Sequence, residues 1–156
     1  MASPKKLLIV YYSQSGSTNR MADAVVEGAR DPDAGTVDVR LLSALEAAAE
    51  DVLAADGLIL GTPENFGYMS GALKYFFDQN YYACLDKVAG KPYALFVRAG
   101  NDGQGAIESV TRIVTGLKLK AICDPVLASG DFTDECLEEC RELGRLFTAG
   151  LEGGIF

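Results

Sequence analysis

A chain of 156 residues with 49% hydrophobic and 23% charged residues has the size and composition of one ordinary globular domain, and residues 1–156 are expected to form a single unit. Its formal net charge of −8 argues against nucleic acid or an anionic lipid surface as a partner and leaves basic protein surfaces as candidates. Histidine is absent, which removes Ser-His-Asp and Cys-His catalysis in their usual forms, and with them the common histidine-containing zinc and iron sites.

The chain opens MASPKKLLIVYY. This basic start is followed by a short apolar run with no small-residue cleavage site, so it reads as a strand over Leu7 to Tyr12, not a signal peptide. No apolar run approaches the roughly 20 residues needed to span a bilayer, and the cytoplasm is the expected location. Met21, Ala24, Val25 and Gly28 recur at helical spacing, which predicts a helix from about Thr18 to Arg30, stopped by Asp31-Pro32-Asp33. Thr36 to Leu41 alternates as a second strand. Ser43 and Glu46 have capping-box spacing and predict a short helix from there to about Ala54. Gly57 to Thr62 is a third, continuously apolar strand, followed by a helix near Ser70 to Phe77. Lys91 to Val97 is the fourth strand, and Ile107, Val110, Thr111 and Val114 mark the next helix. Ala121 to Leu127 is a fifth strand, put at a sheet edge by Pro125. The last helix runs from Thr133 to about Gly150, with Leu137, Cys140, Leu143 and Phe147 on one side.

Strands alternating with helices predict an α/β fold: a three-layer α/β/α sandwich around a five-stranded parallel sheet. The four cysteines, Cys84, Cys123, Cys136 and Cys140, contain no C-x-x-C pair and are expected to be free thiols. In an open parallel sheet, ligands bind beyond the carboxyl ends of the strands where strand order reverses. With the order 2-1-3-4-5, three unusual loops share that rim: SQSGSTN after the first strand, TPENFGYMSG after the third and RAGNDGQG after the fourth.

The first of these is the most informative. A loop that enters a helix offers free N–H groups and the positive end of the helix dipole, which suits an anion. Gly16 lets the backbone approach, and Ser13, Ser15, Ser17 and Thr18 add hydroxyl donors. No lysine or arginine lies between Ser13 and Asn19, so the loop suits a phosphate held by neutral hydrogen bonds. The Gly-Lys-Ser/Thr triplet of the nucleotide P-loop is absent, as is G-x-G-x-x-G after the first strand. In the second loop Pro63 stiffens the start, Asn65 offers a donor and an acceptor, and Gly67 permits a close approach or a positive φ. The alternative reading is an ordinary strand-to-helix turn with Phe66 in the core and Glu64 a solvated charge.

Ser13-Gln14-Ser15-Gly16-Ser17-Thr18 resembles the Ser/Thr-x-Ser/Thr-Gly-x-Thr phosphate loop of flavodoxins. Gly61-Thr62-Pro63-Glu64-Asn65-Phe66-Gly67-Tyr68-Met69-Ser70 resembles the Gly-Thr-Pro…Phe-Gly…Met segment of WrbA-type and related NAD(P)H-dependent FMN oxidoreductases. The resemblance covers nearly the whole chain in element order. It implies a flavodoxin-like fold that holds FMN noncovalently. By position, Ser13, Ser15, Gly16, Ser17 and Thr18 would hold the FMN phosphate. Pro63, Glu64, Asn65, Phe66 and Gly67 would line the isoalloxazine ring, with Phe66 packing on the ring or the ribityl chain. Arg98, Ala99, Gly100, Asn101, Asp102 and Gly103 would close the other side of the pyrimidine end. Arg98 is a candidate for steadying negative charge on the reduced flavin or for meeting a cofactor phosphate.

The chain departs from electron-carrier flavodoxins in having no tryptophan, and no tyrosine in the loop after the fourth strand. One flavin face is therefore expected to be open to a nicotinamide or quinone. The resemblance implies an oxidoreductase that takes electrons from NAD(P)H through FMN to a quinone-like acceptor. The alternative is a single-electron carrier that docks by its acidic surface to basic redox partners. The aromatic stretch Tyr75, Phe76, Phe77, Tyr81 and Tyr82 is read as core packing or, alternatively, a homodimer face or substrate wall.

Overall fold

The computed structural model describes residues 3–156; Met1 and Ala2, the first residues of the basic start, lie outside the described residues. In chain order the elements are β1 (Lys5–Tyr11), α1 (Ser17–Ala29), β2 (Val37–Ser43), α2 (Ala49–Ala54), β3 (Gly57–Asn65) and β4 (Tyr68–Met69). They continue with α3 (Gly71–Cys84), β5 (Pro92–Ala99), α4 (Gln104–Gly116), β6 (Lys120–Ala121), β7 (Val126–Ser129) and α5 (Asp134–Glu152).

The sheet runs β2-β1-β3-β5-β6, with β7 also on β5 and β4 on β3. The expected parallel order is present, but the fifth strand is in two pieces. β6 pairs with Pro92 and Tyr93, and β7 with Phe96 to Ala99. The gap contains Pro125, which has no N–H to give to a ladder. The remaining addition is β4, the antiparallel return of a hairpin built on the end of β3.

Side chains alternate across the sheet with a period of two. Leu8, Val10, Leu58, Leu60, Leu95 and Val97 face α2, α3 and α4, whereas Leu7, Ile9, Ile59, Ala94 and Phe96 face α1 and α5. Both faces of the central strands are therefore dry, which is why GLILGT and ALFV read as unbroken apolar runs.

Two helices differ from expectation. Ser43 ends β2, and its hydroxyl accepts from Leu45 N–H in a turn, so the helix expected there starts only at Ala49. A serine hydroxyl that satisfies a local turn competes with helix initiation. Asp51 instead accepts from Ala48 N–H and pairs with Arg40, and these contacts hold its carboxyl below the usual aspartate value. α3 continues past Phe77 to Cys84, because Tyr81 and Cys84 extend its core-facing stripe.

α1 and α5 cross closely. A Cβ on Gly28 would lie 1.9 Å from the Arg141 carbonyl oxygen, and one on Gly144 2.1 Å from that of Val25. Thr148 Oγ1 donates to Ala29 O over 2.7 Å at the same crossing, and Arg145 pairs with Asp31 at 3.0 Å. This contact fixes the axis of α1, and so fixes where its N-terminus points.

Candidate functional site

The connection from β1 to α1 is a turn around Gly16, which is left-handed at φ 98° and stands at the helix N-cap. Only glycine adopts that conformation without strain. Gly16 has no side chain, so Ser13 supplies the cap from upstream. Its Oγ accepts from the N–H groups of Gly16 and Asn19, each at 3.1 Å. Tyr11 donates from its hydroxyl to Asn19 Oδ1 and braces the first turn. Among the described residues no protein acceptor meets the N–H groups of Ser15, Ser17 or Thr18, and the Ser15 and Ser17 hydroxyls are also unbonded. These donors lie at the positive end of a 13-residue helix. A cleft of about 310 Å³, lined by Tyr11, Tyr12, Ser13, Gly16, Asn19 and Ser43, opens beside them.

The second loop is a hairpin. β3 runs on through Pro63, Glu64 and Asn65, turns at Phe66 and Gly67, and returns as β4 with Asn65 opposite Tyr68. Both turn residues have positive φ, 54° at Phe66 and 70° at Gly67, as a type I′ turn requires. Phe66 is fully exposed at the tip, so it does not belong to the core. The base is closed by the buried Thr62, whose Oγ1 accepts from Ser70 N–H at 2.9 Å. Ser70 in turn caps α3 by accepting from Leu73 N–H.

Three contacts dock the hairpin on α4. Glu64 Oε2 accepts from Ala106 N–H at 3.3 Å, in the first turn of a helix whose own N-cap is glycine. Glu64 is thus a helix cap supplied from another element, and not the solvated charge that its sequence position suggested. Ser109 Oγ accepts from Met69 N–H at 3.0 Å. Gly105 lies against the turn so closely that a Cβ would sit 1.9 Å from Gly67 O.

The third loop is small and exposed at Gly100, Asn101 and Asp102. Asp102 Oδ1 accepts from Gln104 N–H at the start of α4, and Gly103 is left-handed at φ 72°. Arg98 departs from expectation. Strand alternation turns its side chain to the α1–α5 face, where Nη1 donates to the carbonyls of Ala99 and Ala128, each at 3.0 Å. The guanidinium lies 5.3 Å from the centre of the Phe132 ring, with Arg20 at 5.0 Å from the same ring. Arg98 therefore ties β5 to β7; of its loop neighbours, Gly100, Asn101 and Asp102 are exposed at the rim, whereas Ala99 packs in the core and Gly103 is buried.

The three loops do share one rim. Asn65 Nδ2 donates to Gln14 Oε1 at 3.1 Å, joining the first loop to the hairpin, and Glu64 joins the hairpin to the third loop's helix. Gln14 and Gly105 stand in the quoted loops but carry no role legible there, and Ser109 lies outside them. The only signal was that Gly105 and Ser109 stand one helical turn apart and so share a face of α4. The aromatic stretch of α3 divides: Phe76 and Phe77 are buried, Tyr75 and Tyr82 exposed. The cysteines are unbridged, and burial pushes the Cys140 thiol up to about 12. No described helix is long and apolar enough to cross a membrane.

The sequence model of the NADPH-dependent FMN reductases matches residues 6–134. The chain belongs to that family. A flavodoxin of Aquifex aeolicus (strain VF5) is 35% identical over 156 residues, covering 90% of this chain and 83% of the relative. A quinone-oxidoreductase of Triphysaria versicolor is 31% identical over 133 residues, covering 72% of this chain but 64% of the relative. A solved flavodoxin from the domain Archaea superposes with a TM-score of 0.81 at 26% identity, covering 94% of this chain and 99% of that one. The family's own description gives FMN as cofactor and a nicotinamide, NAD(P)H, as electron donor, and the fold is that of a flavodoxin-like protein. The residues present fit FMN: the unbonded N–H groups of Ser15, Ser17 and Thr18 and the two free serine hydroxyls form a neutral cradle for a phosphate.

Proposed function

We propose that this protein moves electrons from NAD(P)H to a quinone-like small molecule, and that the flavin lies across the rim formed by the three loops. FMN, when bound, supplies the redox chemistry, and the chain supplies position, electrostatics and access. In this reading Ser13, Ser15, Gly16, Ser17 and Thr18 hold the phosphate, with Ser13 pre-shaping the loop. Pro63 to Gly67 line the ring, and the Asn65 amide and hairpin backbone meet its polar edge. Ala99 to Gly103 close the pyrimidine end. Their backbone lies at the N-terminus of α4, whose positive dipole favours negative charge on the reduced ring, and Glu64 offsets part of that field. Arg98 positions the ends of β5 and β7 and takes no direct part.

The observation that carries this reading is the third loop. Ala99, Gly100, Asn101, Asp102 and Gly103 offer no aromatic side chain to cover the flavin, so a planar nicotinamide or quinone can stack there. A docked hairpin on the other side keeps the ring in one orientation for both half-reactions.

A second reading, an electron carrier between proteins, is favoured by the similarity to the Aquifex flavodoxin and by the net charge of −8. Anaerobic addition of NADPH or NADH to FMN-loaded protein separates the two. Bleaching of the visible flavin band faster than in free FMN, with reoxidation by a soluble benzoquinone, is expected. A flavin that neither nicotinamide bleaches, but that a redox partner protein reduces, would replace this reading with the carrier.

A further inference from the structure

Beside the flavin rim lies a second cleft, of about 400 Å³, between the hairpin, α3 and α4. It begins at Gly67 in the hairpin turn and is lined further on by Tyr68, Lys74, Glu108, Ser109 and Arg112. None of these five side chains belongs to the cradle for the FMN phosphate. We propose that this cleft binds the phosphate-bearing half of the nicotinamide dinucleotide, the adenosine and its pyrophosphate, while the nicotinamide reaches past the hairpin tip to the flavin.

Three observations carry the proposal, which rests on the NAD(P)H reading above. The first is charge. A chain of net charge −8 repels a dinucleotide unless cations are gathered locally, and here Lys74 and Arg112 line one cleft. Arg112 forms no ion pair among the described residues, whereas Arg40, Arg141 and Arg145 are all paired. An exposed guanidinium with its fork free is matched to phosphate oxygens. Lys74 carries an i,i+4 partner in Asp78, so Arg112 is the main anchor. The second observation is chemical variety. Tyr68 is 41% exposed and offers a ring on which a purine can stack. Glu108, one helical turn before Arg112, offers a carboxylate that accepts from ribose hydroxyls. A cation, an aromatic face and a carboxylate are what an adenosine diphosphate needs.

The third observation is continuity. Gly67 is at once the tip of the flavin hairpin and the mouth of the cleft, and Ser109 in the cleft wall anchors β4 to α4. A ligand that bridges rim and cleft therefore lies along one rigid surface. Glu108 also sets specificity: its charge repels a 2′-phosphate and accepts from a free 2′-hydroxyl, so replacing it shifts preference toward NADPH.

The test uses the full-length, FMN-loaded protein and ADP-ribose as probe. ADP-ribose is expected to bind in a calorimetric titration and to compete with NADH in turnover. The R112A variant is expected to weaken both ADP-ribose and NAD(P)H about tenfold, as loss of one charge-assisted hydrogen bond does, with FMN affinity and kcat unchanged. Glu108→Gln is expected to raise the ratio of kcat/KM for NADPH over NADH. Absence of ADP-ribose binding at millimolar concentration, or an unchanged KM in R112A, overturns the proposal while the hydride reaction stands. ADP-ribose binding that R112A weakens, in a protein whose flavin neither nicotinamide reduces, upholds the cleft and overturns the NAD(P)H reading instead.

Discussion

The side-chain amide of Asn65 donates to Oε1 of Gln14 over 3.1 Å, linking two loops that are 51 residues apart in sequence. One partner stands in the loop between β1 and α1 and the other is the last residue of β3, so this bond sets the separation of two walls of the proposed flavin site. Both side chains reach solvent, and the bond adds little to global stability. Its contribution is to the order of the site before the cofactor arrives, which lowers the entropy lost on binding.

Gln14→Ala is accordingly expected to weaken FMN by roughly twofold to tenfold, the range for a net hydrogen-bond contribution of about 0.5–1.5 kcal/mol. Quenching of FMN fluorescence on titration reads the affinity. The urea midpoint of the cofactor-free protein should move by far less. An unchanged FMN affinity would show that the two loops are held by their own anchors alone.

Phe66 holds a left-handed backbone at φ 54° with its ring wholly in solvent. A residue with a Cβ pays about 1 kcal/mol for that conformation, and no packing repays it here. Phe66→Gly is expected to stabilise the hairpin, offset in part by the entropy that glycine adds to the unfolded chain. The urea midpoint should stay level or rise while activity falls. A lower midpoint would mean that the ring makes a contact in solution that the turn geometry does not account for.

Gly105→Ala drives a methyl group into the Gly67 carbonyl, at a separation of 1.9 Å that neither backbone can relieve by a rotamer change. Such overpacking costs about 1–3 kcal/mol, and the hairpin must lift from α4 to accommodate it. Loss of thermal stability together with weaker FMN binding is expected, measured by thermal unfolding with and without cofactor. A loss of stability with unaltered FMN affinity would separate hairpin docking from the flavin site.

Asp31 joins α1 to α5. The Asp33 backbone N–H and the Arg145 guanidinium hold its carboxyl below the usual 3.8. Because the folded-state pKa lies below that of the unfolded chain, the contribution is complete above the unfolded value and disappears as pH falls through the folded one. Asp51 and Glu138, also lowered, act in the same direction. The wild-type urea midpoint is expected to fall more steeply than that of Asp31→Asn between pH 4 and lower values. Parallel curves would remove Asp31 from the acid response.

The order of elements, the burial of both sheet faces and the position of the glycine turn that opens α1 could all be read from the chain, because each depends on local periodicity or on the company a glycine keeps. Leu7 to Tyr12 and GLILGT are apolar throughout since no face of them meets water. Ser13 to Thr18 could be recognised as a helix-opening turn because the four N–H groups at a helix start need a local cap, and Ser13 supplies it.

Other features were settled only by elements meeting in space. Whether Ser43 starts a helix depended on a turn that used its hydroxyl first. Arg98 could be assigned to the loop by number, but strand alternation carried its guanidinium to the far face of the sheet. The roles of Glu64, Gly105 and Ser109 exist only because α4, about 40 residues away from the hairpin, lies against it. Local sequence sets what each segment can do with its own hydrogen bonds and its own stripe of apolar surface. Which polar group caps which helix, and which glycine must be bare, is decided by the chain's long-range packing, since those partners have no fixed spacing along it.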